Sequence, residues 1–225
     1  MQIDVDCTVC DHKMSPDISK VGMPLIRLYG VTDDSHSVCL IVERFYPYFY
    51  VKKPKNFTQG DIPTLKNKLT DLLKANSANQ EHCVKEITIV SKIDIFMYNP
   101  NPEDFLKIVL YQPKNVSFLR ERFEGGSILI DGIDKFDPLT YESKINFNLR
   151  YMLDRDIVGM SWVKVPKGKY TVTTNEREKV SNCQIEAWAD VDDVIPLSHL
   201  GEYSKIAPIR ILSILYFDGK QHNEG

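Results

Sequence analysis

The sequence predicts an α+β fold in which mixed, mostly antiparallel strands are combined with about three helices. Three observations predict it. Apolar residues alternate with period two in several short segments, and they recur at helical spacing in others. Gly, Pro, Asn and Asp cluster between the two kinds of segment. The length of 225 residues is suited to one large domain or two small ones.

The composition is that of an ordinary globular protein, with 43% hydrophobic and 26% charged residues. It excludes a collagen-like fibre, a coiled coil and a disordered tail. No apolar run approaches the ~20 residues that span a bilayer, and the acidic start, MQIDVDCTVCDH, is not a secretory signal. We therefore expect no membrane partner. Five sparse cysteines argue against a disulfide scaffold and for a reducing compartment.

The first elements are predicted to be an arm and a hairpin. Residues 1–22 are polar and irregular, and we expect a flexible arm there. Apolar alternation over 25–31 and 38–42, on either side of a short Asp/Ser turn, predicts two paired strands. A third strand is predicted over 48–51, where it is followed by a lysine-rich turn.

The apolar period becomes helical over residues 61–75, with Asp61 as the expected N-cap. Residues 84–96 alternate again and predict a long strand, and 105–111 predict the next one. A second helix is expected at about 114–124. The resulting order of strand, helix, strand, strand and helix is that of the later part of an RNA-recognition-like (ferredoxin-like) fold.

The last third of the chain is predicted to contain one helix and several short strands. Residues 127–140 have the composition of a loop, and a third helix is expected over 141–154. Four short strands follow, at 161–165, 169–173, 183–189 and 206–213. Short strands in two blocks favour an oligonucleotide-fold-like barrel built from 23–47 and 140–213, beside the RNA-recognition-like part at 48–124.

The sequence offers no catalytic or metal-binding constellation. Cys7-x-x-Cys10, followed by His12, is half of a zinc site, whereas structural zinc takes four ligands, usually in two pairs. Motifs of serine hydrolases, phosphate loops and zinc proteases are lacking. The acids at 190, 192 and 193 form one local run, which favours a solvated loop over a metal site. We expect no metal and no cofactor in this chain.

Two clusters are candidates for contact with nucleic acid. The first cluster contains Tyr48 and Tyr50, followed by Lys52, Lys53 and Lys55. The second contains Lys164, Lys167 and Lys169, which follow Trp162. Aromatic rings stack on unpaired bases and lysines bind phosphates. The alternative is a strand that packs alternate aromatic residues into a core and ends in a solvent-exposed turn. We expect Trp162 to be buried in the core and not to stack on bases.

Net charge limits what such clusters can do alone. The chain has 31 acids against 28 bases, a formal charge of −3. Proteins that hold nucleic acid by charge are usually basic, so any contact must come from a local patch or from a larger molecule.

Several segments, taken together, resemble the N-terminal domain of the eukaryotic family B DNA polymerases of the delta catalytic type. They are GMPLIRLYGVTDDSHSV, FYPYFYV, LRYMLDRDIVGMSWVKVPKGKY, SNCQIEAWAD and APIRILS, and they extend from residue 22 to 213. DIVGMSWVKVPKGKY and APIRILS are the most specific of them. The resemblance implies a nuclear protein that braces the exonuclease and polymerase domains and guides single-stranded template DNA. The implied partners are that template, the rest of the polymerase chain and its accessory subunits.

The resemblance also implies an exonuclease motif, Phe-Asp-Ile-Glu, soon after APIRILS, whose acid pair binds the catalytic metals. Here Ser213 is followed by ILYFDGKQHNEG, and Lys220 stands where the glutamate is expected after Asp218. We therefore expect 214–225 to be a divergent tail and the chain to be inactive, with magnesium belonging to the parent enzyme. Two alternatives stay open, a stand-alone module for single-stranded nucleic acid and a purely protein-contacting structural domain.

Overall fold

The computed structural model describes residues 3–14, 24–32, 35–76, 83–94, 100–159, 162–175 and 179–196, and over 3–14 it describes the backbone. The helices are α1 (Ile62–Asn76), α2 (Lys114–Glu124) and α3 (Phe147–Asp154). The first seven strands are β1 (Ile3–Met14), β2 (Pro24–Val31), β3 (Ser37–Glu43), β4 (Tyr48–Lys52), β5 (Val84–Ile93), β6 (Pro102–Leu110) and β7 (Thr140–Tyr141). The other four are β8 (Trp162–Val165), β9 (Tyr170–Val172), β10 (Ile185–Asp190) and β11 (Ile195–Pro196). None of the described helices is long and apolar enough to cross a membrane.

The chain divides into two compact units. Tyr46–Ile145 belong to the second unit, whereas β1 to β3 and the described residues from Asn146 onward belong to the first. The second unit therefore includes the predicted RNA-recognition-like segment and continues to Ile145, beyond the predicted end at 124.

The second unit contains a four-stranded antiparallel sheet in the order β5-β6-β4-β7. Alternation along β4 places Phe49 and Val51 in a core with Leu106 and Ile108 of β6, and all four side chains are fully buried. The leucines at helical spacing in α1 join the same core, as do Leu119 and Phe123 of α2. Both helices thus pack on one face of the sheet, as the sequence predicts.

The start of α1 differs in one detail from the prediction. Asp61 ends a 3-10 turn, Gln59–Asp61, that precedes the α-helix, and its carboxylate accepts hydrogen bonds from Thr58. The Thr58 backbone N–H lies 2.8 Å and the Thr58 hydroxyl 2.7 Å from Asp61 Oδ2. These two hydrogen bonds lower the pKa of Asp61. Thr58 is the N-cap of this 3-10 turn, Asp61 is its partner in the capping box, and Asp61 directly precedes α1.

The first unit contains a seven-stranded sheet in the order β11-β8-β1-β2-β3-β10-β9. All neighbours are antiparallel except β3 and β10, which are parallel, with Val38 opposite Ile185. The described strands form an open sheet and no closed barrel. The predicted strand at 206–213 lies outside the described residues, and the barrel stays a prediction.

For residues 3–14, the structure corrects the expectation of a flexible arm over 1–22; the other residues of that arm lie outside the described residues. Ile3–Met14 form a 12-residue strand between β2 and β8, in which Ile3 pairs with Val165 and Met14 with Pro24. Ile, Val and Cys alternate with Asp and Thr at the start of this segment, which is the period of a strand. The register shifts between Cys7 and Val9, and this irregularity interrupts the pattern.

The third helix begins six positions later than predicted. Thr140–Tyr141 form β7, in which Tyr141 pairs with Tyr50, so this segment belongs to the sheet of the second unit. Asn146 then caps α3, because its side-chain oxygen accepts a hydrogen bond from the Asn148 N–H at 3.0 Å.

The core of the first unit lies between its sheet and α3. Phe45 packs on Phe147 and Tyr151 of α3, with ring centroids 5.3 Å and 5.1 Å apart. Val163 and Val165 of β8 are fully buried in the same core. Tyr151 is also fully buried, so this aromatic group fastens α3 to the sheet.

Leu25, Cys39 and Ile41 form a smaller buried cluster in the first unit, and Trp188 packs against it. Burial raises the pKa of the Cys39 thiol to about 12, from an ordinary value of 9.0. The charged thiolate is the nucleophile in alkylation, so the folded chain should be protected at this position. The unfolded chain ionises first as pH rises above 9, so the contribution of this thiol to stability falls between pH 9 and 12.

We expect iodoacetamide at pH 8 to modify Cys39 at least about a hundredfold more slowly in the folded chain than in urea. Mass spectrometry of timed, quenched samples measures both rates, with the urea-unfolded chain as the control. Equal rates in the two states would show that Cys39 is not enclosed in the fold.

Candidate nucleic-acid interface

The first predicted lysine, Lys52, is neutralised within the protein. Its ammonium group forms an ion pair with Glu103 and lies 3.7 Å from the carboxylate of Asp94, which is buried. The hydrogen bond to Glu103 raises the pKa of Lys52. Lys52 therefore holds the ends of β4, β5 and β6 together and is not free to bind a phosphate.

The next two lysines differ from each other. Lys53 Nζ lies 3.5 Å from the Asp104 carboxylate and donates a hydrogen bond to the Phe57 carbonyl oxygen at 3.3 Å. Lys55 is exposed, and within the described ranges no carboxylate lies at ion-pair distance from it. Of the first predicted cluster, only Lys55 presents an unpaired charge among the residues that the structure describes.

The two predicted tyrosines share the outer face of the sheet, opposite α1 and α2. Tyr50 is only 5% exposed, with Lys92 Nζ 3.9 Å from its ring centroid. Tyr48 is half-buried, with Lys107 Nζ 4.1 Å from its centroid, and the two rings meet edge to face at 5.5 Å. A base could reach Tyr48 but not the ring of Tyr50.

The second predicted cluster begins in β8, with Lys164, and continues into the turn between β8 and β9. Lys164 is half-buried and Lys167 is exposed. Lys169 forms an ion pair with Asp193 at 3.1 Å. Gly168 has φ +84°, a left-handed conformation that favours glycine and closes the turn. Lys169 is thus paired with an acid, and the role of all three lysines in binding stays a prediction.

Trp162 is not the core residue that the sequence predicts. It is half-buried, and β8 alternates so that Val163 and Val165 occupy the core while Trp162 and Lys164 lie on the opposite face. Its indole Nε1 is nevertheless enclosed, and no acceptor for it lies within the described part of the chain.

The run of acids after β10 forms ion pairs with three separate segments. Asp190 pairs with Arg44 at 2.8 Å, Asp192 with Arg155 at 3.4 Å, and Asp193 with Lys169. The three acids thus connect the segment after β3, the end of α3 and the β8–β9 turn. The prediction of a merely solvated loop missed these partners, because all three bases lie far away in sequence. In the described part of the chain no three His, Cys, Asp or Glu side chains are grouped closely enough to hold a metal ion.

Two lysines that sequence reasoning missed lie on the outer face of the sheet. Lys85 Nζ is 4.1 Å from the centroid of Tyr46, and Lys107 Nζ is 4.1 Å from that of Tyr48. The ring of Tyr111 meets that of Tyr46 edge to face at 5.6 Å. We call these five residues the lysine–tyrosine face. Strand alternation in 105–111 could have revealed Lys107, but the pairing with tyrosines depends on strand order.

A cavity of about 630 Å³ lies on the same side of the sheet, beside Tyr50, Phe105 and Tyr141. The Tyr141 hydroxyl donates a hydrogen bond to the buried Asp94 carboxylate at 3.0 Å. Burial, together with this carboxylate, raises the pKa of Tyr141. Asp94 is thus bound to both Lys52 and Tyr141, and the arrangement is a structural link between β4 and β7.

Comparison with known proteins gives two consecutive family matches. Residues 44–117 match the DNA polymerase delta catalytic subunit-like, N-terminal domain, and residues 139–221 match the DNA polymerase family B, exonuclease domain. The DNA polymerase delta catalytic subunit of Dictyostelium discoideum is 40% identical over 203 residues, which are 86% of this chain and 18% of that protein. The corresponding subunit of Oryza sativa subsp. japonica is 38% identical over 216 residues, 94% of this chain and 19% of that protein.

A solved structure shows the same relationship. The chain aligns with the family B DNA polymerase from the hyperthermophilic archaeon Pyrobaculum calidifontis with a TM-score of 0.52 and 25% identity. The alignment covers 87% of this chain and 21% of that one. The chain therefore belongs to the family B DNA polymerases. Within that family it corresponds to the N-terminal region of the delta catalytic subunit, and it spans about a fifth of the length of the curated relatives named here.

Proposed function

We propose that this chain is a non-catalytic part of a delta-type replicative polymerase in the nucleus. It braces the exonuclease and polymerase domains and guides single-stranded template during DNA replication. The observation that carries this proposal is the order of the two family matches, with the N-terminal domain over 44–117 and the exonuclease domain from 139. The chain matches the region where the two meet.

Bracing is supported by an apolar surface on α3. Leu149 and Leu153 lie one helical turn apart and are 46% and 59% exposed, and Val158 just beyond the helix is 64% exposed. Grouped apolar side chains on a surface mark sites of protein contact. Because α3 falls within the segment matched to the exonuclease domain, the rest of the polymerase chain is the proposed partner, with accessory subunits as further partners.

Guiding is supported by Lys85 and Lys107, which have no acidic partner within the described ranges, and by the tyrosines beside them. With a net charge of −3 the isolated chain should bind single strands weakly, in the roughly 10⁻⁴ to 10⁻⁶ M range of non-specific contacts. The whole polymerase would strengthen the contact through its other attachment sites.

The family implies metal ions, with magnesium as the ion of the parent enzyme. Several converging carboxylates are needed to hold the two metals of a phosphoryl-transfer centre. Asp218 and Lys220 lie outside the described residues, and in the sequence Lys220 stands where the second acid is expected. Among the described residues, no three His, Cys, Asp or Glu side chains are grouped closely enough to hold such a metal, so the side chains that the structure describes do not fit the centre.

We expect the purified chain with magnesium neither to extend a primer nor to degrade a single strand. Primer extension and exonuclease assays on a labelled oligonucleotide measure both reactions, with EDTA-treated samples as the control. Activity that survives repurification and disappears with EDTA would contradict the absence of a catalytic centre.

The proposed function is tested by titrating the chain with an oligothymidine and with a duplex of the same length at about 50 mM and 200 mM salt. Fluorescence anisotropy should show weak, salt-sensitive binding with a preference for the single strand. Nanomolar binding that resists salt would favour a stand-alone module. No binding of the single strand even at low salt would favour a purely protein-contacting domain.

A further inference from the structure

We infer that single-stranded DNA binds along the lysine–tyrosine face, and not along the predicted lysine turn at 52–55. The inference rests on the proposed guiding function, and it names the surface that performs it. The lysine–tyrosine face combines half-buried tyrosine rings with two lysines that have no acidic partner among the described residues, all on one side of one sheet.

The charges on this sheet separate into two kinds. Lys52 and Lys53 are bound to carboxylates, and Lys92 Nζ lies 3.5 Å from Glu142. Lys85 and Lys107, by contrast, have a tyrosine ring as their contact, and within the described ranges no carboxylate lies at ion-pair distance from either. An ammonium group that no acid neutralises is the one that gains most from a phosphate.

A cation on a half-buried ring that solvent still reaches is held weakly, so it can leave the ring for a phosphate oxygen at little cost. That movement uncovers the ring at the moment when the phosphate is bound. The released ring can then stack on the base of the same nucleotide, and stacking of this kind tolerates any sequence.

The spacing of the rings is suited to an extended strand. Tyr46 and Tyr48 are two positions apart, and a residue that precedes a proline, as Tyr46 does, favours an extended conformation. The reach of the chain then puts their Cα atoms at most about 7 Å apart. This is about twice the 3.4 Å step of stacked bases. Each ring would therefore hold one base of an unstacked strand, with Tyr111 widening the platform beside Tyr46.

Access agrees with this placement. Tyr46, Tyr48, Lys85, Lys107 and Tyr111 are all half-buried, whereas the ring of Tyr50 is enclosed. The helices α1 and α2 occupy the opposite face of the sheet, where Phe49 and Val51 are buried, so neither helix obstructs the strand.

The test compares two double variants that remove equal charge from the same unit. Lys85→Ala with Lys107→Ala changes the lysine–tyrosine face, and Lys68→Ala with Lys74→Ala changes exposed positions on α1. Binding of an oligothymidine is measured by anisotropy at several salt concentrations. The face variant should weaken binding at least about tenfold and reduce the log–log salt slope by about 1.4, since each phosphate contact contributes about 0.7.

The matched control should leave both quantities nearly unchanged. A second pair of variants tests the ring: Tyr48→Ala should weaken binding about tenfold, and Tyr48→Phe should keep it, because stacking needs the ring and not the hydroxyl. Thermal denaturation of each variant shows that it is folded.

Two results overturn the inference in different ways. If the unaltered chain binds the single strand and both double variants weaken it equally, charge in general matters, the lysine–tyrosine face is not the contact and the guiding function stands. If the unaltered chain binds no single strand at low salt, the guiding function and the face fail together.

Discussion

Replacing Glu186 with alanine is expected to lower the free energy of unfolding by about 3–5 kcal/mol, because several buried hydrogen-bond donors lose their acceptor at about 1–3 kcal/mol each, a cost that water can reduce. Glu186 is fully buried in β10. Its Oε2 accepts from the Val180 N–H at 2.9 Å, and from the Ser181 N–H at 3.0 Å and hydroxyl at 2.9 Å. Its Oε1 accepts from the Thr173 hydroxyl at 3.1 Å and from the Trp188 indole at 3.3 Å. Alanine would leave five donors without this acceptor and would release the segment around residue 180.

Chemical denaturation measures this loss of stability, and two further variants serve as comparisons. Glu186→Gln keeps the shape and one good acceptor, so it should cost less than alanine. Glu86→Ala removes an exposed glutamate from β5 and should change stability by no more than about 0.5 kcal/mol. If the free energy of unfolding of the Glu186→Ala chain is within about 1 kcal/mol of that of the unaltered chain, water replaces this acceptor without loss.

The second large effect is expected at Phe49. Phe49→Ala should cost about 3–5 kcal/mol, the range for a buried aromatic, because the side chain is fully buried and the space it leaves cannot close completely. The ring centroids of Phe49 and Phe123 of α2 are 6.0 Å apart, so losing the Phe49 ring should weaken the packing of α2 on the sheet.

The neighbouring residue supplies a matched control of the same size. Tyr48 lies on the outer face and is half-buried, so Tyr48→Ala should cost about 1 kcal/mol and act mainly on single-strand binding. Denaturation followed by circular dichroism compares the two variants. Equal losses at both positions would contradict the assignment of opposite faces to neighbouring residues of β4.

Most helices and strands could be predicted from local patterns. The leucines of α1 recur at helical spacing and all contact one core, and the alternation in β4 and β6 gives the buried face directly. The predicted bounds of α2 agree with the observed helix, because a proline precedes it and two glycines follow it. The resemblance to delta-type polymerases is confirmed by the family matches.

The fates of single lysines could not be predicted in this way. Lys52 and Lys55 look alike in sequence, but Glu103 and Asp94 come from other strands and neutralise only the first. Strand β1 was missed because alternating acids made it look like a polar arm, although acids are permitted at every second position of a strand. In both cases the outcome depends on residues far away in the sequence: Asp94 and Glu103 for Lys52, and β8 for β1.

The parallel pairing of β3 with β10 has a consequence for synthesis on the ribosome. Ser37 and Gln184, which stand beside this pairing, exchange hydrogen bonds although they are 147 positions apart. At about 5–20 residues per second, β10 emerges roughly 7–30 s after β3. The whole segment 46–145 emerges in the interval and can form its own core first. Until then one edge of β3 is unpaired, and this edge is open to mispairing with other strands.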